Sequence, residues 1–212
     1  MNLDQILKEL GKEGDIPNLE NNELNVDNTE KKKRAEELYI EDRYGIPLKE
    51  YEALEKIYNQ IKPKEDFDTF YIKDQRIHIE RDEEDKKGEH VVYLYLARLK
   101  LCDINPIENL KNLKVLNLDE TQVSDISPIK NLVNLKELHL RKMTLNDISP
   151  VKYLKNLEKL YLNSTQVNDI SPIENLENLK ILNLKGSYVN PSDLTTKSII
   201  DQLKQRGIKL YI

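Results

Sequence analysis

Four leucines recur in one frame every 22 residues, and that spacing constrains this chain more than any other feature. Leu110, Leu113, Leu116 and Leu118 are followed by Leu132, Leu135, Leu138 and Leu140, then by Leu154, Leu157, Leu160 and Leu162, and then by Leu176, Leu179, Leu182 and Leu184. One period before the first set stand Gly88, Val91, Leu94 and Leu96, a degenerate first rung. A second block keeps the same period. Asp103-Ile104-Asn105-Pro106-Ile107 becomes Asp125-Ile126-Ser127-Pro128-Ile129, then Asp147-Ile148-Ser149-Pro150-Val151, then Asp169-Ile170-Ser171-Pro172-Ile173. Self-similarity of this kind is the mark of a solenoid, in which each short unit buries its apolar side against its neighbours.

Each half of the unit has a physical reading. Leu116-Asn117-Leu118 alternates, so both leucines point to one face of a short strand. Repetition stacks such strands into a parallel sheet about 4.8 Å apart. On the opposite side, Ser127, Ser149 and Ser171 are expected to cap a short helical turn that the following proline opens. Ile126 and Ile129 then turn inward. Asn112, Asn134, Asn156 and Asn178 form a column at the bend back into the strand. Asparagine suits a bend because its amide bonds backbone groups and it tolerates left-handed geometry.

Composition fits a solenoid better than a compact globule. The 212 residues are 33% charged and 38% hydrophobic, rather little apolar mass for one central core. The formal charge of −5 argues against nucleic acid as a partner, which would require a net basic face. Lys31, Lys32, Lys33 and Arg34 form a basic run, but Glu36 and Glu37 follow, as in a solvated helix start. The single cysteine, Cys102, has no internal disulfide partner, which fits a reducing compartment. The N-terminus has no basic start followed by an apolar run, and no apolar stretch approaches bilayer length. A cytoplasmic monomer that does not engage membranes is therefore expected.

The pattern L-x-x-L-x-x-L-x-L-x-x-T-x-V-x-D-I-S-P-I resembles the repeats of bacterial internalins and, more distantly, those of eukaryotic protein-phosphatase regulatory subunits. The likeness runs over residues 88–190. It implies an α/β fold, a right-handed leucine-rich repeat solenoid with its parallel sheet on the concave face. Internalins are secreted, whereas a signal sequence, an immunoglobulin-like segment after the repeats and a wall anchor are not recognisable here. Their host-receptor role is therefore not carried over.

Four regions are expected. Residues 1–28 read as a short helix (Leu3, Ile6, Leu7, Leu10) followed by a polar, Asn-rich tether. Residues 29–90 read as a helical and hairpin cap. Its elements are a helix from Glu30 to about Tyr44 capped by Thr29, a second amphipathic helix from Lys49 to Ile61, and strand-like alternation from Phe70 to Ile79 with a turn at Asp74-Gln75. Residues 91–190 form the array. Residues 191–212 read as a C-terminal cap, a helix from Ser192 to Arg206 with Leu194, Ile199, Ile200 and Leu203 as its apolar stripe, stopped by Gly207 and followed by a strand.

No catalytic constellation is legible. His78, His90 and His139 are scattered, and no phosphate loop, nucleophile elbow or paired-cysteine motif occurs. The column Asp103, Asp125, Asp147, Asp169 supplies one carboxylate per rung, too few for calcium, and is read as bonding local backbone amides. No metal or cofactor is expected, and Cys102 has no adjacent base to make it a nucleophile. Binding is a better candidate. Side chains between and beside the strand leucines face the concave side, among them Tyr93, Tyr95, Asp119, His139, Arg141, Tyr161, Asn163 and Lys185. Asp119 with Arg141, Glu120 with Lys142 and Glu137 with Lys159 stand one rung apart and are expected to pair. The aromatic rings are left as the partner-seeking groups. The expected function is a non-catalytic protein-interaction module that binds a protein through this face. The alternative is a regulatory or effector subunit whose N-terminal helices, residues 1–48, carry the specific activity or docking.

Overall fold

The computed structural model describes residues 46–61, 76–81 and 89–212, with backbone alone for residues 78–81. The expected helices before residue 45, the Phe70–Ile72 alternation, the Asp74-Gln75 turn and the position of Gly88 lie outside the described residues.

Among the described residues seven strands form one sheet in chain order: β1 Ile77–Arg81, β2 Glu89–Tyr95, β3 Val115–Asn117, β4 Glu137–His139, β5 Lys159–Tyr161, β6 Ile181–Asn183 and β7 Lys209–Tyr211. β1 runs antiparallel to β2, and every later pair is parallel. Register follows the sequence period: Leu94, Leu116, Leu138, Leu160 and Leu182 stand opposite one another across four strand pairs. On the other side of each turn lie the 3-10 segments Asn105–Asn109, Ser127–Asn131, Ser149–Tyr153 and Ser171–Ile173. Between the two walls every repeat leucine from Leu110 to Leu184 is buried, together with the isoleucines and valines of the second block. This is the expected solenoid, a wall of parallel strands on the concave face and a wall of tight turns behind it.

The turns are capped by a different residue from the one expected. The residue at each N-cap is an isoleucine, Ile104, Ile126, Ile148 or Ile170, which makes no side-chain cap bond. Instead the aspartate two residues before each serine accepts its amide: Asp125 Oδ1 from Ser127 at 2.8 Å, Asp147 from Ser149 at 2.7 Å and Asp169 from Ser171 at 2.8 Å. Each serine hydroxyl folds back onto the other carboxylate oxygen, at 3.0–3.2 Å. A carboxylate is the stronger acceptor and sits at the right separation for an Asx turn, so it takes the amide. That bond holds the Asp125 carboxyl below the usual range. The aspartate column therefore does bond local amides.

The asparagine column also bonds backbone, but across rungs. Asn134 Nδ2 donates to Lys111 O at 3.0 Å, Asn156 to Val133 O at 2.9 Å and Asn178 to Lys155 O at 2.8 Å. Left-handed geometry falls elsewhere, on Arg98, Glu120, Lys142, Ser164 and Gly186, with φ from 54° to 73°. There the chain reverses after each strand, so that the amides of Arg98, Glu120, Lys142 and Ser164 reach the carbonyls of Asp119, Arg141, Asn163 and Lys185 on the next rung. Only the last of the five positions uses glycine. The others hold side chains in a conformation that disfavours them by roughly 1–2 kcal/mol each.

The C-terminal helix, α2 below, spans Leu194–Gln205, is capped by Asp193 through Thr196 N, and stops at Gly207 with φ 75°. Thr196, Ile199, Ile200 and Leu203 are buried, but Leu194 is 85% exposed and does not belong to the stripe. It precedes Thr196 by two residues, about 200° around the helix, and so faces away from the core. Leu194→Ala is expected to change the unfolding free energy by less than about 0.5 kcal/mol. Leu203→Ala is expected to cost about 2–5 kcal/mol, both variants being measured by urea titration. After this helix β7 adds to β6 in parallel and lengthens the sheet.

At the other end, α1, Leu48–Ile61, lies over the 3-10 segment Asn105–Asn109 and buries Ala53, Leu54 and Ile57. Tyr51, Tyr58 and Ile61 pack at the margin. The same face buries Glu50, whose side chain the helical pattern does not single out. Glu50 Oε1 lies 2.7 Å from His90 Nδ1, and Oε2 accepts the Val91 amide at 2.8 Å. One carboxylate thus fastens the helix to the first rung. His90 Nε2 is buried without a partner.

Candidate functional site

A three-residue strand packed on one face must show its first and third side chains to the other. Each inner strand does so: its middle leucine is buried and the flanking residues are part-exposed. Strand register then sets two columns across the concave face, Tyr93–Val115–Glu137–Lys159–Ile181 and Tyr95–Asn117–His139–Tyr161–Asn183. The second column gains Tyr211, which stands opposite Asn183. Spacing by 22 does not reach that tyrosine, because α2 intervenes. The alternation in Ile208-Lys209-Leu210-Tyr211-Ile212 was the available signal.

The expected charge pairs all form. Arg141 reaches Asp119 through Nε at 2.7 Å and Nη2 at 2.6 Å, and its own amide bonds Asp119 Oδ1 at 2.7 Å. The bond to Asp119 raises the guanidinium's affinity for its proton. Lys142 Nζ lies 3.1 Å from Glu120, and Lys159 Nζ lies 2.9 Å from Glu137. Burial alone would raise the Glu137 carboxyl, but the hydrogen bonds from Lys159 and His139 outweigh it and leave it below the usual range.

The aromatic groups are less independent of these charges than the sequence suggests. His139 Nε2 lies 2.8 Å from Glu137 Oε1. Its ring stacks on Tyr161 with centroids 4.4 Å apart and an interplanar angle of 24°. Arg141 covers the same tyrosine at 5.7 Å from the ring centre. Asp119, His139, Arg141 and Tyr161 thus form one connected group on three consecutive rungs, a structural brace as well as a surface. Tyr95 stands apart from it and is 38% exposed. Burial and then the charge of Glu137 push its phenol above the usual range. Tyr211 is 41% exposed, with Lys209 Nζ at 5.4 Å from its ring centre.

Beside the columns, where the strands end, a cleft of about 420 Å³ opens. Asn117, Asp119, Arg141 and Asn163 line its inner side, and Ala97 with the left-handed Arg98, Glu120 and Lys142 its outer side. Asn163 Oδ1 is buried there without a hydrogen-bond partner. Of the residues expected to bind, Asp119, Arg141 and Asn163 meet in this cleft, while Tyr93, Tyr95, His139 and Tyr161 lie on the strand columns. Lys185, one rung beyond Asn163, is not among the cleft residues. Arg98, Glu120 and Lys142 follow the strands as one more column beside the concave face, and their left-handed backbone sets them at the cleft. Among the described residues no group of three or more His, Cys, Asp or Glu side chains is placed to hold a metal ion, and no helix is long and apolar enough to cross a membrane.

Comparison with known proteins agrees with the repeat. A family described as leucine-rich repeats (2 copies) matches residues 111–153 and 155–196. No curated protein matches the chain. Among solved structures, an internalin (inlF) from Listeria monocytogenes is 39% identical over 56% of this chain and 33% of its own, with a TM-score of 0.49. Internalin C2 (inlC2) from the same organism is 32% identical over 57% of this chain and 50% of its own, also at 0.49. The chain thus spans from one third to one half of the length of these internalins. The leucine-rich repeat ectodomain of the receptor kinase SOBIR1 from Arabidopsis thaliana matches 79% of this chain and 92% of its own at a TM-score of 0.58, with 19% identity, a likeness of fold alone. The chain carries leucine-rich repeats at 22 residues per turn, and over this array it is similar in sequence to the two Listeria internalins.

Proposed function

We propose that the chain is a non-catalytic interaction module that grips a protein partner with the concave face of its array. One observation carries this reading: the face neutralises its own strong charges in pairs and leaves exposed tyrosine at both ends of one column, Tyr95 on β2 and Tyr211 on β7. A tyrosine ring contributes broad apolar contact and one hydrogen bond at little cost in side-chain entropy. Paired charges next to it set orientation without leaving an unpaired ion to desolvate. The cleft supplies the specific polar contact, through the unpartnered Asn163 carbonyl oxygen and the cations of its rim.

Tyr95 and Tyr161, with Asp119, Arg141 and Asn163, form the centre of the proposed contact, and Tyr93, His139 and Lys185 its surround. The test uses the partner recovered by affinity capture from the native cell, then titrated calorimetrically against purified variants. Tyr95→Ala is expected to weaken binding about tenfold or more, about 1.4 kcal/mol, and Tyr161→Ala to do so while also loosening His139. Affinity unchanged in both variants, with the repeat array still folded, would place the interface off this face.

A further inference from the structure

A second surface lies on the edge of the solenoid where the 3-10 turns lead into the strands. The asparagine bonds fix its geometry. Because Asn134 holds the Lys111 carbonyl, Asn156 that of Val133 and Asn178 that of Lys155, Lys111, Val133 and Lys155 stack as neighbours on consecutive rungs. Tyr153 ends the 3-10 segment beside them, and its carbonyl accepts the Lys155 amide at 3.0 Å. Val133 and Tyr153 are each 51% exposed, the two large apolar side chains that this edge leaves in solvent. In the same repeat positions the other rungs hold Lys111, Lys155 and Glu177, and Asn109, Asn131 and Asn175.

The apolar pair sits among cations. Lys111 and Lys155 flank Val133 on the stack, and exposed Lys130 and Lys152 occupy consecutive rungs at the end of the turns. Lys152 Nζ lies over the Tyr153 ring at 5.2 Å from its centre. Carboxylates occupy equivalent positions only on the outer rungs, as Glu108, Glu174 and Glu177. Glu158 is nearby but is held by Lys180 at 2.5 Å. The other end of these turns carries the exposed column Asp103, Asp125, Asp147 and Asp169, and the charge of Lys130 reaches Asp125. A chain with net charge −5 therefore collects positive charge around one apolar spot, and its aspartate column stands at the other end of the same turns.

We infer that this edge is a docking surface for an acidic segment of a protein, one that carries an apolar side chain between carboxylates. The apolar side chain would rest on Val133 and Tyr153 while the carboxylates meet Lys111, Lys130, Lys152 and Lys155. A polyanion such as nucleic acid matches the charge but not the apolar centre, and a stripe this short would neutralise few phosphates. The surface is independent of the concave face, so the two interfaces can be occupied together.

A fluorescein-labelled eight-residue peptide with a central phenylalanine flanked by glutamates is the probe, read by fluorescence anisotropy on the full chain. Binding is expected to weaken at least fivefold between 50 mM and 300 mM salt, as screening of exposed charges requires, both concentrations being on the order of those that bracket physiological ionic strength. The triple variant Lys111→Glu, Lys152→Glu, Lys155→Glu and the variant Tyr153→Ala are each expected to weaken binding tenfold or more. Tyr95→Ala, on the concave face, is expected to leave it unchanged, which separates failure of this surface from failure of the proposed function. The substituted side chains are exposed, and circular dichroism on each variant confirms the fold. Three results would overturn the inference: no binding of the peptide to the wild-type chain, equal binding of a peptide with alanine in place of phenylalanine, or tighter binding of a single-stranded oligonucleotide on the same edge.

Discussion

Glu50→Ala is expected to destabilise the chain by about 3–5 kcal/mol, by unfastening α1 from the first rung. The carboxylate is 4% exposed and fills two roles at once, as acceptor for the Val91 amide and as partner of His90. Alanine leaves a buried amide and a buried imidazole with nothing opposite them, and the cost of unmet polar groups exceeds what the bonds themselves contribute. Glu50→Gln keeps an acceptor for Val91 and removes the charge, so it is expected to cost less, about 1–3 kcal/mol. The ordering of these two variants follows from the direction of the carboxyl's shift. Burial raises it, with the Val91 amide and His90 pulling the other way. A carboxyl raised on folding binds its proton more tightly in the folded state. Its contribution therefore favours the fold below the unfolded value, about 4.3, and is lost as pH rises through the folded value. Glutamine stands for the protonated form. Urea titrations at pH 7 of the wild type and both variants decide the matter, and equal midpoints for all three would mean that α1 is not fastened through this residue.

Leu138→Ala is expected to cost about 2–5 kcal/mol and to do so from the middle of the array. Leu138 is fully buried and stands in register between Leu116 and Leu160. Its neighbours on both sides are held by strand bonds and cannot close over the cavity, which favours the upper part of that range. A solenoid is stabilised by contact between successive rungs, so a fault in the centre also weakens coupling between its halves. A lower urea midpoint with a shallower transition is expected, the shallower slope marking loss of two-state behaviour. An unchanged slope would show that α1 and α2, at the two ends, tie the rungs into one cooperative unit.

Both positions illustrate how unevenly the chain can be read. The leucine frame, the strand parity, the three charge pairs and the stop at Gly207 are legible because each depends on a local period or on a separation of one repeat. The capping of the 3-10 turns was read onto serine, yet the donor and acceptor involved are two residues apart, and their strength, not their order, decides which one serves. Leu194 was counted into the stripe of α2 because it is apolar, although its angle around the helix points it to solvent.

The period of 22 residues is enough to dictate a stack of parallel strands, since only that arrangement buries every leucine of the frame at once. It also dictates which side chains face the concave side, because strand parity leaves no choice. What it cannot dictate is contact between segments that share no period. Glu50 meets His90 across 40 residues, and Tyr211 joins the concave column through a helix that breaks the frame. The unpartnered oxygen of Asn163 likewise depends on three rungs closing around it. Such contacts come from where chain ends and rungs pack in space, and so the repeat wrote the scaffold while folding in three dimensions decided how it is fastened and where its tyrosines and its cleft come together.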